Sequence, residues 1–486
     1  MTTRRSFLTG AAAVAAICRR PAALWSQTPA TNSSLVFTVD PAQHLATVPQ
    51  NFTGLSYESA QLGHPDFFSS DNKSLIALFR RLGSLGVLRI GGNTEEYTRW
   101  SDNDADAALN HTPQAIGPDA GTAAKTASIL TPAAIRNLRG FIDAVGWRII
   151  YGLDLRHGTP ENAAAEAKYV AATLGEKLIC FQIGNEPDMN HAEGQKDRWT
   201  FDYYYPLWLK FREAVLAAVP NARFAGPDIA KEYSWITAMA DKHPDIVFLT
   251  GHYYAEGPPA NPKMTLEYLL RRGRDPASEE IPIVHAATRT LGKGYRMSEG
   301  NSCFHGGKPG VSDTVASALW SGDYMLQLAE AGYLGVNLHG GGNGLYTPIA
   351  GSLEEGFTGR PVYYGMLLAE CFAGSTMVAC SFSTQTAAQN VTGFAARDGS
   401  TWKLALFNKA PDSVTVRITG LTHTKAKASA TLLHGRAIDD KQGVTFGGSS
   451  VISDGSFSPQ PQLTFAMRHG SGVIDLPAYT AAFAEL

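Results

Sequence analysis

LICFQIGNEPD, residues 178–188, is an apolar run of the kind that forms a strand covered on both faces. It breaks at Gly184 into Asn185, Glu186 and Pro187. A carboxylate at the mouth of a buried strand is costly unless it has a task there. An ordinary strand-to-loop junction with a solvated glutamate is the bland reading of these residues. The decision rests on what the rest of the chain places around Glu186.

Seven further runs share this texture: Asn51–Ser59, Val87–Asn93, Trp147–Leu155, Ala222–Ile229, Asp245–Tyr254, Gly294–Asn301 and Leu334–Gly342. Each ends in glycine or polar residues. The spacers read as helices. DNKSLIALFRRLG sets Leu75, Leu78, Phe79 and Leu82 at helical spacing behind Asp71, a candidate cap. TPENAAAEAKYVAATLG opens on Thr-Pro-Glu and stops at glycine, and residues 312–332 follow the same rule. Strand and helix alternating eight times within about 310 residues predicts an α/β fold, a (β/α)8 TIM barrel. Beyond about Ala373 apolar and polar residues alternate between turn signals, which predicts antiparallel strands of a β-sandwich. Residues 34–50 have the same texture and are expected to join it. The expected organisation is a leader at 1–27, an N-terminal strand at 28–50 joining the sandwich, a catalytic barrel at 51–372 and the C-terminal sandwich at 373–486. Residues 101–128 read as a long loop over the barrel mouth.

The leader TTRRSFLTGAAAVAAIC pairs Arg4 and Arg5 with a short apolar stretch, a pattern that resembles a twin-arginine export signal. It implies a periplasmic or extracellular protein and is set aside from the fold. A net charge of −3 gives no ground for a nucleic-acid partner or an acidic membrane surface. Beyond Cys18 the cysteines are Cys180, Cys303, Cys371 and Cys380, without a C-x-x-C pair. Free thiols are the main reading, with a Cys371–Cys380 bridge left open. The histidines show no metal-ligand spacing and the glycines no phosphate loop. No metal or cofactor is expected.

Barrel sites lie at the C-terminal ends of the strands. Strand one ends near Glu58, strand two at Asn93, strand three near Asp154 and His157, and strand four at Asn185–Glu186. Strand six ends at His252, Tyr253 and Tyr254, strand seven at Glu299 and strand eight at His339. Carboxylates after strands four and seven stand nearly opposite one another. Two carboxylates facing one substrate divide the roles of proton donor and nucleophile, which is what hydrolysis of a glycosidic bond requires. Tyr253 and Tyr254 must point opposite ways, so one of them belongs to the core. Glu95 and Glu96 read as surface charges.

The ordered set LRIGGNTEEY, QIGNEPD, GPDI, GHYY, MSEGNS, HGGKPGVSDTVASALW and NLHGGGNGLY resembles glycoside hydrolase family 79, the β-glucuronidases and heparanase-like enzymes. The resemblance covers nearly the whole chain after the leader. It implies Glu186 as general acid/base, Glu299 as nucleophile and Asn185 as the partner of the sugar 2-hydroxyl. Tyr254 is then the tyrosine that keeps the nucleophile ionised, and Glu58 and Asn93 bind sugar hydroxyls. The uronate carboxylate is expected on the Gly306–Gly307 backbone and Tyr346, with His339 nearby. Phe304 stands where bacterial members of the family carry a carboxylate-binding tyrosine, and Lys231 where heparanase-like members carry a glutamine. The implied protein is a retaining exo-acting β-glucuronidase with a carbohydrate partner. The same machinery on a neutral or 4-O-methylated sugar is one alternative. A non-catalytic glycan-binding protein is another, from a different class.

Overall fold

A computed structural model describes residues 34–110, 128–189, 199–271, 277–340, 344–422 and 424–486. Within it, each of the eight apolar runs supplies one strand of a single parallel sheet. Strands one to four are Thr53–Glu58, Val87–Gly91, Arg148–Leu153 and Leu178–Ile183. Strands five to eight are Gly226–Ile229, Leu249–Glu256, Tyr295–Cys303 and Gly335–His339. Their spatial order is 4-3-2-1-8-7-6-5. A bridge between Phe181 and Phe224 joins strand four to the chain entering strand five, so the sheet is nearly closed.

Each strand is followed by a helix, from Lys73–Leu82 after strand one to Pro361–Glu370 after strand eight. The first is capped by Asn72, whose side chain accepts the Leu75 N–H, and not by Asp71 as the sequence led us to expect. Asn72 directly precedes the first helical residue, which is the position from which a short polar side chain reaches the free N–H groups. No helix among the described residues is long and apolar enough to cross a membrane.

The barrel floor is polar. Arg296 on strand seven is buried and bonds Asn337 Oδ1 at 2.6 Å and the carbonyls of Phe52 and Leu334. Asn337 in turn donates to the carbonyls of Leu55 and Val87. Side chains at Gly54 and Gly335 would collide with this guanidinium, so glycine is required there.

The second sheet departs from the expected sandwich. Its ten strands run from Thr445–Phe446 to Thr480–Glu485, and Thr480–Glu485 pairs back onto Lys427–His434. The result is one closed circuit of nine strands, with Thr445–Phe446 appended to Lys427–His434. Leu35–Thr47 lies within it, parallel to Val414–Thr419 and antiparallel to Thr376–Phe382. Its interior is a separate apolar core around Phe37, Trp402, Leu404 and Val416. Cys180, Cys303, Cys371 and Cys380 are thiols and not disulfides, and the Cys371 thiol donates to the carbonyl of Leu367, one helical turn back. The leader, Cys18, most of the loop at 101–128 and the glycines at 341–342 lie wholly or partly outside the described residues.

Helix Val315–Glu330 of the barrel meets the closed sheet through a buried ion pair. Lys409 Nζ lies 2.7 Å from Asp323 Oδ2, and Thr392 donates to Asp323 Oδ1 at 2.6 Å. Removing one partner strands a buried charge, which typically costs about 3–5 kcal/mol. Asp323→Ala is therefore expected to lose about 3 kcal/mol of unfolding free energy, read as a shifted urea midpoint. An unchanged midpoint would show that Lys409 reaches water when its partner is removed.

Candidate active site

Glu299 sits midway along strand seven and not at its end, at a register irregularity that follows Met297. Arg89 on strand two donates to its Oε2 at 2.6 Å, and the Tyr254 hydroxyl donates to its Oε1 at 2.8 Å. His339 Nδ1 lies 3.6 Å from Oε2. Burial alone would raise the carboxyl. The charges of His339, His252 and Arg89, with the Tyr254 hydrogen bond, outweigh it and bring Glu299 down to about 2. Tyr254 itself is held well above the ordinary phenol range, by burial first and then by Glu299, so it stays a donor.

Arg89 is the hub. It is fully buried and also donates to Asp228 Oδ2 at 2.6 Å, Asn185 Oδ1 at 2.8 Å, Gln182 and Ser56. A guanidinium in an apolar strand is tolerable only with this many acceptors. Asp228 is stabilised as the anion by the same contact, by His252 and by Gln182 and Ser298.

Glu186 follows strand four at φ 46°, in the left-handed region. His252 Nδ1 lies 2.9 Å from its Oε1, and His252 Nε2 lies 3.2 Å from Asp228 Oδ2. Burial pushes the imidazole down, but Asp228 and Glu299 override it and hold it well above its usual range. His252 is thus poised between Glu186 and Asp228, with the charged form of the ring favoured by both neighbours. One carboxylate oxygen of Glu186, one of Glu299 and a ring nitrogen of His252 lie within 4.8 Å of one another. Such a triad resembles a cation site in composition.

The other expected residues divide. Asn185 is buried, with its side-chain oxygen taken by Arg89. His339 spans the two sides, 3.4 Å from Glu58 and 3.6 Å from Glu299. The remaining oxygen of Glu58 accepts the backbone and hydroxyl of Thr94, so Glu58 braces the turn after strand two. Asn93 is exposed at the mouth. Tyr253 stacks on Tyr324 in the core at 4.9 Å, which leaves Tyr254 to the site. Tyr346 is buried, hydrogen-bonded to Tyr254, with ring centroids 6.1 Å apart. Phe304 meets Tyr254 edge-on at 6.2 Å and packs over Gly257. Gly307 departs from expectation: its N–H donates to the Cys303 carbonyl at 3.1 Å and is not a free donor. It is glycine because a side chain would strike Tyr346 and Ser312. Gly306, at φ 86°, accepts the Leu345 N–H. Lys231 is exposed, and its N–H joins those of Ala230 and Glu232 on the Asp188 carboxylate.

Glu95 and Glu96 are not surface charges; both are buried. The turn Asn93–Tyr97 folds back over the barrel mouth and carries them inward. Glu95 lies 3.8 Å from Arg89 and against Gly152, and burial, its largest influence, raises it well above the carboxylate range. Arg89, Asp228 and Glu96 escaped the sequence reading as site residues, and His252 was placed at the end of strand six without a role. A signal existed for Arg89, the single charge inside VLRIGG.

No family model matches the chain. It is 24% identical over 350 residues to a β-glucuronidase of Aspergillus niger, covering 65% of this chain and 62% of that one. It is 24% identical over 362 residues to a β-glucuronidase of Neurospora crassa, covering 65% and 63%. The match thus spans less than two thirds of each relative. Among solved structures, a 4-O-α-L-rhamnosyl-β-D-glucuronidase from Fusarium oxysporum 12S superposes with a TM-score of 0.71 at 19% identity, over 92% of this chain and 100% of that one. A family 51 arabinofuranosidase from Xanthomonas axonopodis pv. citri gives 0.65 at 14%, over 93% and 99%. These likenesses establish the fold, a (β/α)8 barrel with an accessory sheet.

Proposed function

We propose that the protein is a glycoside hydrolase that releases β-linked glucuronic acid from chain ends by a retaining double displacement. The observation that carries this reading is the pairing of Glu186 with Glu299, whose nearest ligand oxygens fall within a 4.8 Å cluster, with Glu299 held ionised. Retaining enzymes place their carboxyls about 5–5.5 Å apart, and inverting ones leave room for a water. Glu299 then attacks the anomeric carbon while Glu186 protonates the departing oxygen. Glu186 next takes a proton from the water that releases the sugar. His252 orients Glu186, and Arg89 orients Glu299 and Asn185. With its oxygen on Arg89, the Asn185 amide is left to donate to the sugar 2-hydroxyl.

The glucuronidase relatives support the uronate. In this chain its carboxylate would meet the Tyr346 hydroxyl and the backbone at Gly306, with Gly307 shaping the loop. Phe304 favours a second reading, the same chemistry on a neutral or 4-O-methylated sugar, since an apolar ring lines that side of Tyr254. The leader with Arg4 and Arg5 supports an exported protein.

The test is kcat/KM on para-nitrophenyl β-glucuronide and β-glucoside side by side. A preference of about a hundredfold or more for the glucuronide is expected, the range over which contacts to one substituent discriminate. Equal rates, or a preference for the glucoside, would move the assignment to the second reading. Phe304→Tyr is expected to raise the glucuronide value further.

A further inference from the structure

Asn185 and Glu186 are held by three consecutive N–H groups that reach three different elements. Gly184 donates to the Leu153 carbonyl at 3.0 Å, Asn185 to Glu96 Oε1 at 2.9 Å and Glu186 to the Asp228 carbonyl at 3.0 Å. The backbone is left-handed at Gly184 (φ 87°) and at Glu186 (φ 46°). A non-glycine residue persists in that region only where its surroundings dictate it. Of the three acceptors, only Glu96 is a side chain, and so only Glu96 can titrate. Its second oxygen accepts the N–H groups of Leu155 (3.2 Å) and Arg156 (2.7 Å). Its own carbonyl contacts His157 Nδ1 at 2.6 Å. One buried glutamate therefore joins the ends of strands two, three and four. Asp154 is hydrogen-bonded to its carboxyl group.

We propose that Glu96 is a positioning residue: its carboxyl, hydrogen-bonded to the backbone at the ends of strands three and four, fixes the Asn185–Glu186 backbone and so aims Glu186 at the leaving-group oxygen. This rests on the reading of Glu186 as the acid/base. Burial first, then the charge and hydrogen bond of Asp154, push Glu96 up to about 8, against the N–H groups of Arg156 and Asn185. The other titratable groups around it are Glu95 on its own turn, His157 after strand three and Tyr204 on the helix after strand four. Below about pH 8 Glu96 keeps its proton; as the pH rises through that value the proton leaves and a negative charge builds at the anchor. Hydrolysis that needs a proton donor should therefore fall on the alkaline side.

The experiment measures kcat/KM of the full chain on a dinitrophenyl and a phenyl β-glycoside of its preferred sugar. Dinitrophenolate leaves without a proton and phenolate needs one. Glu299 is held by Arg89, Tyr254 and His339, so the nucleophile keeps its own supports. Glu96→Ala is expected to lose about 100-fold on the phenyl substrate and less than about fivefold on the dinitrophenyl one. Glu96→Gln, which keeps an acceptor for the Asn185 N–H, should recover about tenfold of the phenyl loss and flatten the limb near pH 8. An equal loss on both substrates, or a glutamine variant no better than alanine, overturns the inference. If the alanine variant does not fold, an unchanged alkaline limb in Glu96→Gln overturns it alone. A wild-type protein that hydrolyses no β-glycoside overturns the underlying reading of Glu186 instead.

Discussion

Glu299→Gln is expected to lower kcat by about 100,000-fold while the protein stays folded. The amide keeps the volume of the carboxylate and one oxygen to accept the Tyr254 hydroxyl. What it removes is the negative charge that makes the group a nucleophile. Losses of this order follow when a covalent nucleophile is deleted and the rest of the site remains. Arg89 does not become an unpaired buried cation, because Asp228 still lies 2.6 Å away. Circular dichroism should therefore match the wild type, and a variant that keeps most of its activity would refute the mechanism. The pH profile offers a second check. Glu299 is depressed to about 2 from an ordinary value of 4.5. Its contribution to stability is thus complete above the ordinary carboxylate range and disappears only as the pH falls through about 2. An acid limb of kcat/KM near pH 5 then belongs to another group than the nucleophile.

The features legible in the sequence were those written along one strand at a time. Each of the eight barrel strands coincides largely with one apolar run, because both faces of a parallel sheet are covered. Glu186 and Glu299 stood out because each is a carboxylate in or just after such a run. What remained hidden depends on convergence between elements. Arg89 is an odd residue in its strand, but only the fold shows that Asp228, Asn185 and Glu299 all point at it. Glu95 and Glu96 looked like a solvated pair because adjacent charges usually are. The turn that carries them folds inward, and the carboxylate of Glu95 occupies the space that a side chain at Gly152 would fill. The closed second sheet was hidden for a similar reason. Alternation marks a strand with one buried face, yet it is the same for a sandwich and for a ring. The difference lies in the pairing of Lys427–His434 with Thr480–Glu485, which no local pattern encodes.

Glu186→Ala should separate the two halves of the reaction. In the first half Glu186 gives a proton to the leaving oxygen, a service worth about 100- to 10,000-fold. A phenyl glycoside should therefore lose about 1,000-fold in kcat/KM, and a dinitrophenyl glycoside less than about tenfold. In the second half Glu186 serves as base to the incoming water, so kcat on the dinitrophenyl substrate should fall as the glycosyl-enzyme accumulates. Azide needs no base and is small enough for the space the carboxylate leaves beside His252, which lies 2.9 Å from it in the wild type. Added azide should restore turnover and yield a glycosyl azide of β configuration. The configuration is decisive because it records how many times the anomeric centre inverted. Two inversions, one by Glu299 and one by azide, return β; a single displacement gives α. Recovery of the α-azide would mean that Glu299 never bonds the sugar, and its closeness to Glu186 would need another explanation.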